Sequence, residues 1–301
     1  MNDYVLLSGT SNVPLAQKIS EELRQPLGDI EITRFMDNEC RVYVKEPVEG
    51  KNVVVIQSLS QIADQHLVEL CLIGQALKSL KAKDTVAVIP WLGYSKQDKE
   101  FRKGESVSAQ LVAKFIEAAG FDRIISLELH SENLIPYFRI PVTELSTRKL
   151  LSHALKGAVG LKVVSPDKGG QGRSERFARD LGLPIVYLTK IRDVVTGKVV
   201  ITDISEDVSG DPLIIFDDII NTGSTAIRAG EFLKKHGAAD ITFLATHAVL
   251  AGDAAEKLSK SPIDRIVVTD TIDGSNTDKN KKIQVVSVAP LIAASIASLE
   301  G

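Results

Sequence analysis

Short runs of consecutive apolar residues alternate along the chain with stretches whose apolar positions recur at helical spacing. The clearest runs are residues 4–8, 53–58, 85–90, 123–128, 162–165, 184–189, 213–217, 241–246 and 265–269. Val and Ile dominate them, and the apolar residues follow one another rather than alternating. Strands buried on both faces read this way. Between them, 64–80 and 226–236 read as amphipathic helices. The rhythm predicts an α/β protein with parallel sheets covered by helices. Near the C-terminus, 285–299 reads as a last strand followed by a core-facing helix. With Pro290 and several serines it falls short of the ~20 apolar residues that a membrane span needs.

The pattern occurs twice. NVVVIQS (52–58) leads through a helix ending in ALKSLKAKD into TVAVIP (85–90), and PLIIFDD (212–218) leads through one ending in EFLKKHGAAD into ITFLAT (241–246). Strand starts lie 160 residues apart and the aspartates before the second strands 156 apart, so the first copy is longer by four. Two units of this kind predict two related domains. YFRIPVTELSTRKLL, with Pro141 and a helix start at Ser146 or Thr147, marks the boundary. The expected domains are 1–145 and 146–287, the first joined by a C-terminal helix at 288–301.

Composition narrows the class. A chain of 301 residues has room for two domains at ~100–200 residues each. Its 44% hydrophobic and 25% charged residues exclude disorder over most of the length. A net charge of −3 argues against a basic nucleic-acid coat and leaves a local basic site open. Two cysteines, Cys40 and Cys71, exclude a disulfide framework and fit a reducing compartment. The N-terminus lacks a basic segment followed by an apolar one, so no signal peptide, no membrane partner and a cytoplasmic location are expected.

The strongest chemical signal is IIFDDIINTGSTAI, residues 214–227. A buried strand runs into two acids, then a hydroxyl-rich loop, then a helix. Amides at a helix start point outward without partners, and the helix dipole adds positive potential there. Gly223 lets backbone approach an anion, and Thr222, Ser224 and Thr225 add donors, which together make a phosphate cradle. Asp217 and Asp218 at the strand end can accept from sugar hydroxyls or hold Mg²⁺. A lone hydroxyl-rich turn would be an ordinary capped connection. The strand and acid pair before it favour the phosphate.

This loop resembles the 5-phosphoribosyl-1-diphosphate motif of type I phosphoribosyltransferases. Further segments single out one relative. They are Phe-Met-Asp-Asn-Glu (35–39), Ile-Pro-Trp-Leu-Gly-Tyr-Ser-Lys-Gln-Asp-Lys (89–99), Leu-Glu-Leu-His (127–130), Val-Val-Ser-Pro-Asp-Lys-Gly-Gly (163–170) and Lys-Ile-Arg (190–192). Each is weak alone, but the ordered set is similar to the ribose-phosphate diphosphokinase family from about Val5 to the C-terminal helix. The short C-terminal end looks most like the archaeal-type members.

The resemblance implies an α/β fold of two tandem type I phosphoribosyltransferase-like domains, each a mainly parallel sheet flanked by helices. It implies transfer of the diphosphoryl group of ATP to the C1 hydroxyl of ribose 5-phosphate, with Mg²⁺ as cofactor. Lys190 and Arg192 take the catalytic positions, and His130 and Asp167 the metal positions. Phe35, Asp37, Asn38, Glu39, Lys96, Gln97, Asp98 and His130 fall on ATP-binding positions. Arg192, Asp217, Asp218, Asn221, Thr222, Gly223, Ser224 and Thr225 fall on ribose-5-phosphate positions. In the family the 35–39 strip comes from a neighbouring subunit, which implies a homo-oligomer built on dimers, up to a hexamer.

The residues agree with this in physical terms. Lys190 and Arg192 share a side if their stretch is extended, one a point charge and the other a bidentate fork. Asp167 sits between Pro166 and Gly169-Gly170, in a turn that exposes a carboxylate. Lys96, Lys99, Arg102 and Lys103 make the stretch 94–105 a basic, mobile loop that orders on a polyphosphate. There are departures. Asn38 replaces a Gly, Lys96 an Arg, Glu128 an Asp, Asn221 an acid and Ser224 a second Gly. They put metal affinity and turnover in question. Two other readings stand beside the synthetase, a catalytically weak regulatory homologue and a base phosphoribosyltransferase.

Overall fold

The computed structural model describes residues 4–155, 157–192, 199–273 and 276–300, with Arg192, Val199 and Glu300 described by backbone alone. The chain forms two compact units. One comprises Met1–Ser146, Thr271–Asp273 and Ser287–Gly301, the other Thr147–Asp270 and Gly274–Val286.

The first unit begins with β1 (Tyr4–Ser8), α1 (Val13–Leu23) and the hairpin of β2 (Ile30–Arg34) and β3 (Cys40–Val44). There follow β4 (Asn52–Ile56), α2 (Ala63–Ser79), β5 (Asp84–Ile89), α3 (Ser108–Ala118), β6 (Arg123–Leu127) and β7 (Val142–Leu145). Five strands form one sheet in the order β1-β4-β5-β6-β7, parallel throughout, and β2–β3 pair antiparallel as a sheet of their own. Asn12 starts α1 by accepting the Leu15 amide through Oδ1 at 3.2 Å. One apolar core, including Val53, Val55, Leu70, Ile73, Ala87 and Ile116, fills the space between sheet and helices.

The second unit carries α4 (Arg148–Ser152), β8 (Lys162–Ser165), α5 (Gln171–Leu181), β9 (Ile185–Arg192) and β10 (Val199–Ile204). It continues with β11 (Leu213–Ile220), α6 (Ser224–Lys235), β12 (Ile241–Ala248), α7 (Ala254–Ser259), β13 (Arg265–Thr269) and β14 (Ile283–Val286). Its sheet runs β10-β9-β8-β11-β12-β13-β14, parallel except for the β9–β10 pair. Phe177 of α5 stacks on Phe216 of β11 at 4.3 Å between centroids. Beyond β14, α8 (Ala289–Ala297) buries Ala289, Ile292, Ala293 and Ile296 and packs on α1 in the first unit.

The duplication is visible in the strand order. β1-β4-β5-β6-β7 and β8-β11-β12-β13-β14 follow the same path, each with an antiparallel hairpin inserted after its first helix. In the second unit that hairpin joins the sheet through β9, and in the first it stays separate.

Some expectations change. β2, β3 and β7 do not stand out in the apolar pattern because their residues are largely half-exposed. The stretch 137–151 carries β7 and the start of α4, and the Thr147 hydroxyl bonds the Thr246 hydroxyl at 2.6 Å instead of capping the helix. β11 runs three residues past its expected end, so Asp217 and Asp218 lie inside the strand. The acid pair survives there because a cation meets it, as described below. β6 stops at Leu127, and Glu128 turns out of it with φ +34°. The two cysteines are both free thiols, and no described helix is long and apolar enough to cross a membrane.

Candidate active site

In the second unit, parallel strands bring their C-terminal ends to one edge, where open α/β sheets bind ligands. β8 ends in the turn Pro166–Gly170, and Asp167 Oδ1 accepts the Gly170 amide at 2.8 Å. β9 is extended through Lys190, as the Lys-Ile-Arg spacing requires, and Lys190 Nζ lies 3.2 Å from Asp167 Oδ2. Lys190 is 16% exposed and Asp167 37%. The backbone places Arg192 two positions on, at the strand end, and its side chain lies outside the described residues. Asp167, Lys168, Gly169, Gln171, Tyr187 and Lys190 line a cleft of about 440 Å³.

The acid pair of β11 adjoins this cleft. Asp217 Oδ1 accepts its neighbour's amide, Asp218 N–H, at 2.9 Å. Both carboxylates meet Arg173 of α5, whose Nη1 stands 2.7 Å from Asp217 Oδ1 and 3.0 Å from Asp218 Oδ1. Burial, and then the Asp218 charge, push the Asp217 carboxyl up to about 7, against the pull of Arg173.

The phosphate loop follows. Gly223 adopts φ +74° immediately before α6, and a Cβ there would also press on Leu258 at 3.0 Å. Ser224 and Thr225, expected in the loop, form the first turn of α6, two residues before the expected start. No side chain caps that end, so its amides stay available to an anion. Thr222 and Ser224 are exposed with their hydroxyls 3.1 Å apart, while the Asn221 carbonyl accepts from the Ala251 amide at 3.0 Å.

The other candidates lie in the first unit. Phe35–Glu39 form the β2–β3 turn, closed by the Phe35 amide on the Glu39 carbonyl at 2.9 Å. Asn38 takes φ +69°, the conformation that its place in a glycine-like turn called for. Phe35 is 54% exposed. Asn38 and Glu39 line one cleft, Lys96 and Gln97 another, and Asp64 and Gln65 at the start of α2 line both. The Tyr94 hydroxyl donates to Asp64.

The loop 94–105 is pinned at its start. Gln97 accepts the Ser108 hydroxyl at 2.5 Å, and buried Asp98 takes Asn133 Nδ2 on its carboxylate at 3.3 Å and the Tyr137 hydroxyl on its carbonyl at 2.5 Å. Lys96 and Gln97 are themselves exposed, and beyond buried Asp98 the basic stretch from Lys99 on stands in solvent. His130 is half-buried two residues beyond Glu128, whose carboxylate accepts the Ser146 hydroxyl at 2.6 Å.

Comparison with known proteins gives this arrangement a family. The family described as the N-terminal domain of ribose phosphate pyrophosphokinase matches residues 4–120, and the phosphoribosyl synthetase-associated domain matches residues 177–300. A ribose-phosphate pyrophosphokinase of Caldanaerobacter subterraneus is 39% identical over 98% of this chain and 94% of that one. The chain belongs to the ribose-phosphate pyrophosphokinase family. One from Methanothermobacter thermautotrophicus is 37% identical over 96% and 98% of the two chains. The crystal structure of phosphoribosylpyrophosphate synthetase from Mycobacterium smegmatis superimposes with a TM-score of 0.92 at 32% identity, covering 99% of both chains.

Within this family framework, the residue that sequence reading missed is Arg173. An arginine in a polar helical segment reads as a solvated charge, and its partners lie 44 residues away. The raised Asp217 group predicts a pH effect. If Asp217 accepts from the sugar phosphate, kcat/KM for that substrate falls as pH falls through about 7, because the carboxylate protonates and loses strength as an acceptor. Asp217→Asn flattens that part of the profile. The sugar phosphate titrates identically for both proteins, so the difference between their profiles isolates Asp217. The stability sign is the reverse. With its folded value above the unfolded 3.8, this group's contribution is fully present below about 4 and is lost as pH rises through about 7.

Proposed function

We infer that the chain transfers the diphosphoryl group of ATP to the C1 hydroxyl of ribose 5-phosphate, giving 5-phosphoribosyl 1-diphosphate and AMP. The observation that carries this is the end-to-end similarity to enzymes named ribose-phosphate pyrophosphokinase, joined to a basic and acidic cleft beside a phosphate loop. The C1 oxygen attacks the β-phosphorus, the bond from that phosphorus to the α-phosphate oxygen breaks, and AMP leaves. The attacked phosphorus stands among dense negative charge, so positioning and charge neutralisation carry the rate.

Each residue has a role in this reading. The amides at the start of α6, with Asn221, Thr222, Gly223, Ser224 and Thr225, hold the 5-phosphate, and Asp217 and Asp218 accept from the ribose hydroxyls. Lys190 and Arg192 face the transferring group. Phe35, Asp37, Asn38, Glu39, Lys96, Gln97, Asp98 and His130 serve ATP. The exposed Phe35 fits a strip offered to a neighbouring subunit of a homo-oligomer built on dimers. The domains are 1–145 with 288–301, and 146–287, in the cytoplasm.

The cofactor of this reading is Mg²⁺, held by Asp167 and, directly or through water, by His130. Among the described residues no three His, Cys, Asp or Glu cluster as a metal cage. Mg²⁺ binds through one or two carboxylates, waters and substrate phosphates. The half-exposed Asp167 carboxylate is such a ligand. When bound, the ion neutralises charge on the phosphates.

The test is AMP release from ATP, Mg²⁺ and ribose 5-phosphate by the purified chain. AMP should form in step with 5-phosphoribosyl 1-diphosphate. If AMP forms no faster with the sugar than without it, the activity is refuted.

A further inference from the structure

Three groups of the second unit converge beside Gly170. A Cβ built there would lie 3.5 Å from Asp167 Oδ1, 4.0 Å from Arg173 Nη1 and 4.0 Å from Asp217 Oδ1. Two of them belong to the expected site, and Arg173 has no assigned role. Its position is built rather than casual. The Ser174 amide bonds the Gly170 carbonyl at 2.9 Å, and the buried Ser174 hydroxyl donates to the Phe216 carbonyl at 3.4 Å. That ties the first turn of α5 to β11 one residue before the acid pair. The Arg173 side chain is 13% exposed and Asp218 1%, so both charges are largely out of water. A buried carboxylate without a cation would be strongly unfavourable.

Adjacent strand residues normally point to opposite faces, yet here one guanidinium nitrogen touches Oδ1 of both. The fold-back of Asp217 Oδ1 onto the Asp218 amide makes this possible. The arrangement engages Oδ1 of Asp217 with Arg173 and with the Asp218 amide, and Oδ2 is the other acceptor oxygen of that carboxylate.

The topologically matching place in the first unit shows the contrast. There β4 is followed directly by Gln57 and Ser58, both neutral and both bonded within their own unit, so no cation is needed. Among the described residues the second unit keeps a charged pair there, and the helix after that unit's first strand, α5, supplies an arginine to it.

We propose that Arg173 is the positioning residue of the ribose subsite, clamping Oδ1 of Asp217 and Asp218 so that Asp217 Oδ2 is aimed at a hydroxyl of the sugar phosphate. Arg173 itself does not touch the sugar. This rests on the reading of Asp217 and Asp218 as sugar acceptors. Lysine at this position would supply charge without the planar, fixed donors that meet two acids at once.

The test uses the full chain with Arg173→Ala and Arg173→Gln, each checked for cooperative thermal unfolding. In Arg173→Ala the KM for ribose 5-phosphate rises about tenfold or more, the KM for ATP stays within about twofold, and added guanidinium restores much of the loss. A merely structural role would raise both KM values together and would not respond to guanidinium. Either of those results overturns the proposal, as does an unchanged KM for the sugar phosphate. If Arg173→Ala does not fold, Arg173→Gln decides, since it keeps length and a donor but no charge. A raised sugar-phosphate KM supports the clamp, and a wild-type KM overturns it. Asp217→Asn separates the two levels. If Asp217→Asn also leaves that KM unchanged, the subsite reading itself fails. If it raises the KM while the Arg173 variants do not, the clamp alone fails.

Discussion

Lys190→Ala lowers kcat for AMP formation by about two orders of magnitude or more and leaves the fold intact. Lys190 lies on β9, between β8 and β10, with its ammonium at the rim of the cleft and 3.2 Å from Asp167. The two consequences of removing it differ greatly in size. Asp167 is 37% exposed, so solvent screens the pair and its loss destabilises the fold by under about 1 kcal/mol. A cation aimed at charge that develops in the transition state is worth several times that, because the site holds it in place before the reaction starts. The prediction is therefore a melting curve close to wild type and a turnover reduced by at least about a hundredfold. Steady-state AMP release and thermal unfolding on the same preparation check it. Wild-type-like turnover would remove Lys190 from the chemistry.

Glu69→Ala is the second large effect, and it falls on stability. Glu69 of α2 is 2% exposed. Its Oε1 accepts the Thr10 amide and Gln57 Nε2, both at 2.7 Å, and its Oε2 accepts the Thr10 hydroxyl at 2.7 Å. Gln57 in turn accepts the Ser11 amide at 3.1 Å, and Ser11 Oγ accepts the Ser58 amide at 2.7 Å. The network closes the turn after β1 onto the end of β4 by polar bonds alone. Alanine leaves the Gln57 amide only the His66 carbonyl at 3.3 Å and takes both acceptors from Thr10, which is exposed enough to turn to water, at a cost of about 1–3 kcal/mol. Glu69→Gln keeps one acceptor and should fall between the two. Urea unfolding of the full chain measures the difference. A midpoint for Glu69→Ala equal to wild type would show that water or side-chain rearrangement satisfies the freed groups.

These two predictions draw on different kinds of legibility. The role expected of Lys190 comes from the family resemblance, and the spacing of Lys-Ile-Arg adds that two cations share a side of an extended strand. The Glu69 network joins residues from three separate segments, and nothing in the chain around position 69 distinguishes this acid from the surface acids of other helices. The same division runs through the candidate site. The strand, glycine turn and uncapped helix start of the candidate phosphate loop were readable because they are contiguous, and their geometry depends mainly on local φ and helix-start amides. Where local reading went astray, tertiary packing was the cause. β11 extends three residues further than its apolar run because β12 pairs with it through Ile220 and Arg173 neutralises its acids. The loop 94–105 looked uniformly mobile, but Asn133 and Tyr137 fasten its first part at Asp98.

The sequence by itself determined the α/β class, the duplication and the family, because each rests on order and spacing along the chain. Only the tertiary structure decided which charges meet. Lys190 finds Asp167 across 23 residues, and Arg173 finds Asp217 and Asp218 across more than forty. The physical reason is that a charge becomes costly or useful according to how much water it loses and what stands beside it. Both are properties of packing between segments distant in the chain. A net charge of −3 averages them away, while the folded sheet gathers them at one edge.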